Sequence, residues 1–281
     1  MMRAKTGLII IAFICPIAPI YAQQIDYINA TLFEDGLRDV HISENRAYAI
    51  GRHSFQVFSL NTSSSPRPLA GIPLPGELKK MAISGSYAYI ANSELGLHII
   101  DITDPSNPIQ VNQYDTDSPT AISVLGDYVY LTSYYRNSLE IINVSDPYNP
   151  SLVREFYLPY WASKAEDIYV QDSQLYIADS TYGLYIVNVG DPTSPYLEGM
   201  VATQYVPAGL YIAGDYAYVI SYAGYGNSAF EIFNISDSLN PILAGSYVDP
   251  ISRFTDIVVL NNYAYVTNSW EMYAMVIFEV S

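Results

Sequence analysis

Cysteine is nearly absent from this chain: one residue, Cys15, in 281. It lies in an apolar amino-terminal stretch, so the rest of the chain offers no disulfide, thiol nucleophile or thiolate metal site. Histidine is almost as scarce. His41, His53 and His98 stand in separate contexts, and none pairs at metal-ligand spacing, so no zinc site is expected. Basic residues are few, with 12 Lys plus Arg against 28 Asp plus Glu. That balance excludes nucleic acid and anionic lipid as simple electrostatic partners. No Gly-x-Ser-x-Gly elbow occurs. Asp115-Thr116-Asp117 is too short for a calcium loop. The glycine-rich stretch 223–227 lacks the following helix that a phosphate cradle needs. No metal or cofactor is therefore expected.

What is present begins with a leader. Arg3 and Lys5 make a positive start, Leu8 to Cys15 is apolar, and Ile20-Tyr21-Ala22 offers a cleavage site before Gln23. This is the pattern of a secretory signal peptide over residues 1–22, and its apolar run is short for a transmembrane span. Phe13-Ile14 before Cys15 and Pro16 after it disfavour a lipoprotein. Cleavage removes two bases and no acid, taking the net charge from −16 to −18. The expectation is an exported protein of the periplasm, the cell surface or the medium, with no transmembrane anchor in the mature chain. Oligomeric state is not legible.

The remaining chain repeats itself six times. Each unit has a hairpin with a Tyr-Ala-Tyr-like second strand, a Leu-x-Ile-Ile-Asp-like run and, in most units, Asp-Pro-x-x-Pro. The anchor tyrosines are Tyr48, Tyr89, Tyr130, Tyr176, Tyr218 and Tyr265, spaced by 41, 41, 46, 42 and 47 residues. A period of about 40–45 residues with several strands per unit indicates propeller blades. Charged residues are only 14% of the chain against about 25% in ordinary domains, as suits strands buried on both faces. The 28 tyrosines fit the same picture, since Tyr suits a pleated, half-buried surface.

In the second unit, Met81–Ser84 reads as strand A, Tyr87–Ala91 as B, Leu97–Ile102 as C and Ile109–Tyr114 as D. The A–B turns are two residues long: Glu44-Asn45, Gly85-Ser86, Gly126-Asp127, Asp172-Ser173, Gly214-Asp215 and Asn261-Asn262. Most of these residues tolerate positive φ, but Glu44 is a poor choice. The fold expected is all-β: a single β-propeller of six four-stranded blades over residues 23–281. Its repeats fall near 36–76, 77–118, 119–163, 164–204, 205–251 and 252–281. The last unit ends before a strand D, and Ile25–Phe33 is a spare strand-like segment. It is expected to complete the last blade and remove a free edge.

These units resemble the LVIVD repeat family of exported or cell-surface bacterial and archaeal proteins. The likeness is clearest in Leu97-His98-Ile99-Ile100-Asp101 and Leu184-Tyr185-Ile186-Val187-Asn188, followed by Asp-Pro-x-x-Pro, and covers about residues 36–281. The resemblance implies fold and compartment. It carries over no catalytic residue.

A meander puts the short, regular A–B and C–D turns on one face. The variable B–C loops and D–A connections share the other, and variable loops on a rigid scaffold tend to carry function. That face is expected to hold Tyr134, Tyr135, Tyr160, Trp161, Tyr182, Tyr222, Tyr225, Trp270 and Tyr273. Such rings stack on sugars and anchor peptides, or they simply cap blade ends. A second set stands nine residues before each anchor tyrosine: Asp39, Lys80, Ala121, Asp167, Gly209 and Asp256. Strand A is innermost, so Asp39, Lys80, Asp167 and Asp256 are expected around the channel mouth. They could hold a polar ligand, or each Asp could bond to backbone amides of the next blade. Asn29, Asn61, Asn143 and Asn234 head Asn-x-Ser/Thr triplets, read as by-products of the repeat.

Three readings fit this inventory, one of them a purely structural surface repeat whose aromatic face is covered by another chain. The leading one is a non-enzymatic scaffold binding an envelope or cell-surface protein or glycan on the aromatic face. The alternative is a secreted carbohydrate-active enzyme, hydrolase or lyase, using Asp39, Asp167 and Asp256. Its carboxylates would have to meet at about 5–10 Å.

Overall fold

The computed structural model describes residues 36–60, 66–133, 135–159, 164–224, 226–250, 253–269 and 275–280. They form six antiparallel sheets, each a simple meander. Blade 1 is Asp39–Ser43, Arg46–Ile50, Ser54–Ser59 and Arg67–Pro73 (β1–β4). Blade 2 is Leu78–Ser84, Tyr87–Asn92, Gly96–Asp101 and Ile109–Tyr114 (β5–β8). Blade 3 is Pro119–Leu125, Tyr128–Ser133, Ser138–Asn143 and Ser151–Tyr157 (β9–β12). Blade 4 is Ala165–Gln171, Gln174–Asp179, Gly183–Asn188 and Tyr196–Val201 (β13–β16). Blade 5 is Val206–Ala213, Tyr216–Gly224, Asn227–Asn234 and Ile242–Asp249 (β17–β20). Blade 6 has three described strands, Phe254–Leu260, Tyr263–Asn268 and Met275–Glu279 (β21–β23). In blade 2 the strands begin or end within three residues of the bounds read from sequence. The spare segment Ile25–Phe33 lies outside the described residues.

Each hairpin turn follows from one backbone angle. The first turn residue has positive φ in all six A–B turns, Glu44 at 52° and Asp172 at 54° among them. Only in the last turn is the second residue, Asn262, also left-handed. Left-handed φ costs an ordinary residue about 1–2 kcal/mol, which glycine avoids. The C–D turns rest on side chains instead. Asp104 Oδ1 accepts from the Ser106 amide at 3.0 Å and its hydroxyl at 2.6 Å. Asp146, Asp191 and Asp237 cap their turns in the same way. The residue ending strand C adds another Asx turn. Asp101 Oδ1 accepts from Thr103 N at 2.8 Å, and Asn143 Oδ1 from Ser145 N at 2.9 Å. Ser145 Oγ and Ser236 Oγ also donate to Asn143 Oδ1 and Asn234 Oδ1. That turn chemistry accounts for those two Asn-x-Ser triplets.

The core lies between blades. Tyr48, Ile50 and Val57 of blade 1 meet Ala88, Ile90 and Ile100 of blade 2. Blades 2 and 3, 3 and 4, 4 and 5, and 5 and 6 pack likewise. Both faces of a blade are therefore apolar, and a fully buried Ile or Leu contributes about 1.5–3 kcal/mol. The innermost strands β1, β5, β9, β13, β17 and β21 pack in sequence around the axis. Five anchor tyrosines, Tyr48 to Tyr218, are buried and serve packing. Burial pushes the Tyr89 and Tyr176 phenols up to about 12.

Two substitutions test these local rules. Glu44→Gly should relieve the strained turn and raise Tm by about 1–3 °C in thermal melts. Gly199, in β16, abuts the Ser238 carbonyl of the next blade, where a Cβ has no room, whereas Gly245 meets nothing. Gly199→Ala should therefore cost about 1–3 kcal/mol in denaturant titrations. Gly245→Ala, at the equivalent place in blade 5, should change little; equal effects would contradict this packing.

Candidate functional site

A bulge sets the residues around the channel. In blades 2 to 6 the A–B register slips by one residue near the start of strand A, just before Lys80, Ala121, Asp167, Gly209 and Asp256. Bulges bend a strand and re-aim its side chains. Asp39 Oδ1 accepts from Val40 N at 2.8 Å, and its Oδ2 from Met81 N of the next blade at 2.8 Å. Asp167 does the same with Ile168 N at 3.0 Å and Leu210 N at 3.1 Å. Asp256 Oδ1 accepts from Ile257 N at 2.9 Å. Blade 3 carries Ala121 at this position, and there Ser123 Oγ accepts from Val170 N at 3.1 Å. Lys80 Nζ lies 3.8 Å from Asp167 Oδ2, joining blades 2 and 4 past the small Ala121.

Charge in this ring is coupled. Burial is the main cause lifting Asp39 to about 6, opposed by Lys80 and reinforced by Asp256 and Asp167. Burial likewise raises Asp167. The Lys80 amine is raised chiefly by Asp167. Among the described residues no three His, Cys, Asp or Glu side chains gather as metal ligands.

The loop face is braced by polar residues at the ends of strand B. Asn92 Oδ1 accepts from Glu94 N at 3.0 Å and Leu95 N at 3.1 Å, while its Nδ2 donates to Pro75 O at 2.6 Å. Ser133 Oγ donates to Asp117 O at 2.6 Å. Asp179 Oδ1 accepts from Thr181 N at 2.9 Å and Tyr182 N at 2.8 Å, and Asn268 Oδ1 from Arg253 N at 2.8 Å. Strand C contributes a buried polar residue in three blades. His98 lies between the side-chain amides of Asn92 at 2.8 Å and Gln110 at 3.0 Å. Burial is the main cause lowering the His98 pKa. Glu140 Oε2 accepts from Thr116 Oγ1 at 2.6 Å. Glu231 accepts from Gln204 N at 2.8 Å and Ser221 Oγ at 3.0 Å. The two glutamates thus tie incoming D–A connections to the blade.

Of the aromatic residues expected on this face, three are described. Tyr135 is 75% exposed, in the B–C loop of blade 3. Tyr222 is 43% exposed on β18, with the Arg253 guanidinium 6.0 Å from its ring centre. Tyr182 is half-buried and packs on the core between blades 3 and 4. Tyr134, Tyr160, Trp161, Tyr225, Trp270 and Tyr273 lie outside the described residues. Tyr157 adds a 60% exposed ring at the end of β12. Nearby, Arg136 Nε meets Asp117 Oδ2 at 3.1 Å and its Nη1 stands 3.8 Å from Glu155 Oε1. In blade 5, β18 and β19 run nine and eight residues against six each for β6 and β7, so this hairpin is longer.

Sequence reasoning missed the bulges and the buried Glu140 and Glu231, while His98, read from its strand pattern as packed or on the surface, is packed. A polar residue inside an otherwise apolar Leu-x-Ile-Ile run was the available signal.

The class of protein is thereby defined as a six-bladed β-propeller with a polar ring around its axis and one variable loop face. The LVIVD repeat model matches residues 75–116, 119–157, 162–203 and 254–277, and the chain belongs to that family. Units 1 and 5 fall outside the matched stretches; the unit-5 turn lacks the first proline. No curated protein matches the chain. Solved structures similar to it include the Cps50 (Swd1) propeller domain of Myceliophteria thermophila, at TM-score 0.68 and 11% identity, covering 88% of this chain and 84% of that one. Virginiamycin B lyase from Staphylococcus aureus gives 0.63 and 14%, covering 89% and 86%. BamB from Moraxella catarrhalis gives 0.61 and 13%, covering 88% and 84%. At these identities the likeness is one of fold.

The ring makes a signed prediction. Asp39 has a raised folded pKa, so its contribution is fully present below the ordinary value of 3.8 and is lost as pH rises through about 6. Asp39→Asn removes that loss. The Tm of the variant relative to the unaltered protein should climb between pH 4 and 7 and then level off. A flat or falling difference would contradict the assignment.

Proposed function

We propose that this protein is an exported, non-catalytic propeller that binds an envelope or cell-surface protein or glycan on its loop face. The observation carrying this reading is the exposure of Tyr135 in the B–C loop of blade 3, and of Tyr157 and Tyr222 at the loop-side ends of β12 and β18. Rigid rings with a polar edge lose little entropy on binding and favour sugars and peptides. The amino-terminal leader pattern supports export. A last blade completed by the chain's own amino terminus belongs to the same proposal.

The enzymatic alternative draws less support. Asp39 and Asp167 spend their carboxylate oxygens on backbone amides, and Lys80 neutralises Asp167. Those bonds give both carboxylates a structural role between blades.

Binding assays against envelope polysaccharides, peptidoglycan fragments and purified envelope proteins test the proposal. Tyr135→Ala and Tyr222→Ala should each weaken a saturable interaction about 5- to 30-fold, a loss of about 1–2 kcal/mol. Tyr148→Ala, in a C–D turn on the opposite face, should leave it unchanged. Failure of the whole panel to bind, or sensitivity to Tyr148 alone, would contradict it.

A further inference from the structure

Charge is shared unevenly between the two ends of the ring. The A–B and C–D turns hold acids, Asp104, Asp146, Asp191 and Asp237 among them, and no Lys or Arg; Arg46 and Arg67 only flank them. Bases gather at the other end. Arg38, Arg52, Lys79, Arg136, Lys164 and Arg253 all stand in the B–C loops or at the start of a strand A. Three of these six, Arg38, Arg52 and Lys79, meet where blades 1 and 2 adjoin.

One carboxylate serves all three. Arg38 Nη2 lies 3.2 Å from Glu77 Oε1, and Lys79 Nζ lies 3.0 Å from the same oxygen. Lys79 chiefly, with Arg38 and Arg52, holds the Glu77 carboxyl below its usual range. Arg52 is exposed, and no ion pair holds it among the described residues. Blade 3 shows the opposite balance, since two carboxylates, Asp117 and Glu155, meet the single Arg136. The junction is also tied in place. Leu78 N donates to Arg52 O at 3.0 Å, Leu74 N to His53 O at 2.8 Å and Ser93 N to Glu77 O at 3.0 Å. His53 Nδ1 stands 2.6 Å from Gly76 O. The segments that carry Arg52 and Glu77 are therefore bound to each other through their backbones.

We infer that the junction of Arg38, Arg52 and Lys79 is an anion subsite of the loop face and takes the acidic group of a glycan, a carboxylate or a phosphodiester. Glu77 is the internal counterion, and it leaves an excess of positive charge for a ligand to complete. The planar fork of an arginine matches the paired oxygens of either group. Over the whole chain acids outnumber bases by 28 to 12, so a dense polyanion is repelled. The local excess governs only within about 10 Å at 0.1 M salt. That selects single charges spaced along a neutral frame, as an acidic glycan has. Tyr135 and Tyr222, exposed on the same face, offer rings on which sugars stack. This inference rests on the loop-face reading and names the chemistry of its ligand.

Calorimetric titration of the full chain tests it with oligogalacturonate, a hyaluronan fragment and a phosphodiester-linked glycan, each beside its uncharged counterpart. At least one acidic member should bind more tightly than its neutral form, and the margin should shrink between about 50 and 300 mM salt. The carboxylate and phosphodiester arms show which oxyacid is read. Arg52→Gln should weaken that binding about 3- to 10-fold, and Glu77→Gln, which removes the internal competitor, should tighten it about 3-fold. Neither change should move the affinity of the neutral form. The gain in Glu77→Gln is the result that a merely structural ion pair would not give. No preference for acidic over neutral members, no effect of Arg52→Gln, or a loss in Glu77→Gln would each overturn the inference. An acidic peptide that outcompetes every glycan would overturn it too. In any of these cases the loop-face reading stands if Tyr135→Ala and Tyr222→Ala still weaken binding, and falls with the inference if they do not.

Discussion

Everything in this molecule depends on blades that are apolar on both faces. A sheet with Tyr89 and Ile99 on one side and Ala88, Ile90 and Ile100 on the other cannot stand in water alone. It is stable only between two others, and six such sheets satisfy one another as a ring. Scarcity of charge is the compositional trace of this demand. The turns, bulges and carboxylate stitches hold each sheet at the angle where its neighbours can reach it. Asp39 and Asp167 show the cost: each carboxylate is drawn into a low-dielectric ring, its pKa rises, and backbone amides of the next blade offset the penalty.

Much of this was legible in sequence because the repeat copies local rules. The anchor tyrosines mark strand B, and the Asp-Pro turns mark the passage from C to D. Glu44 was recognisable as misplaced in a turn that needs left-handed backbone, and its φ of 52° is that strain. The set Asp39, Lys80, Asp167 and Asp256 could be drawn from spacing alone. What spacing could not convey was the bulge that turns these residues. It also hid Lys80 passing Ala121 to reach Asp167, because that contact joins blades 87 residues apart in the chain. The settings of His98, Glu140 and Glu231 were hidden for a related reason. Their partners lie elsewhere in the chain, Gln110 in β8 and Thr116 and Gln204 in D–A connections whose course is set by packing.

The two ends of the ring differ in kind. One end is built from short, regular turns, most of them closed by an Asp, Asn or Gly and one by Glu44, and leaves little freedom for a ligand to exploit. The other end carries loops of unequal length pinned at their roots, with the tall hairpin of blade 5 and the exposed rings of Tyr135, Tyr157 and Tyr222. Pinned roots are what a binding surface needs, since the order is present before a partner arrives.

The division of labour between the two faces is the centre of this account, and tyrosine footprinting tests it most directly. The protein is iodinated or oxidatively labelled alone and with a saturating envelope glycan or protein, and each site is quantified by mass spectrometry. Protection of Tyr135, Tyr157 and Tyr222, with Tyr148, Tyr196 and Tyr216 labelled as before, is the predicted result. Protection confined to Tyr148, Tyr196 and Tyr216 would place the partner on the turn face and contradict the account.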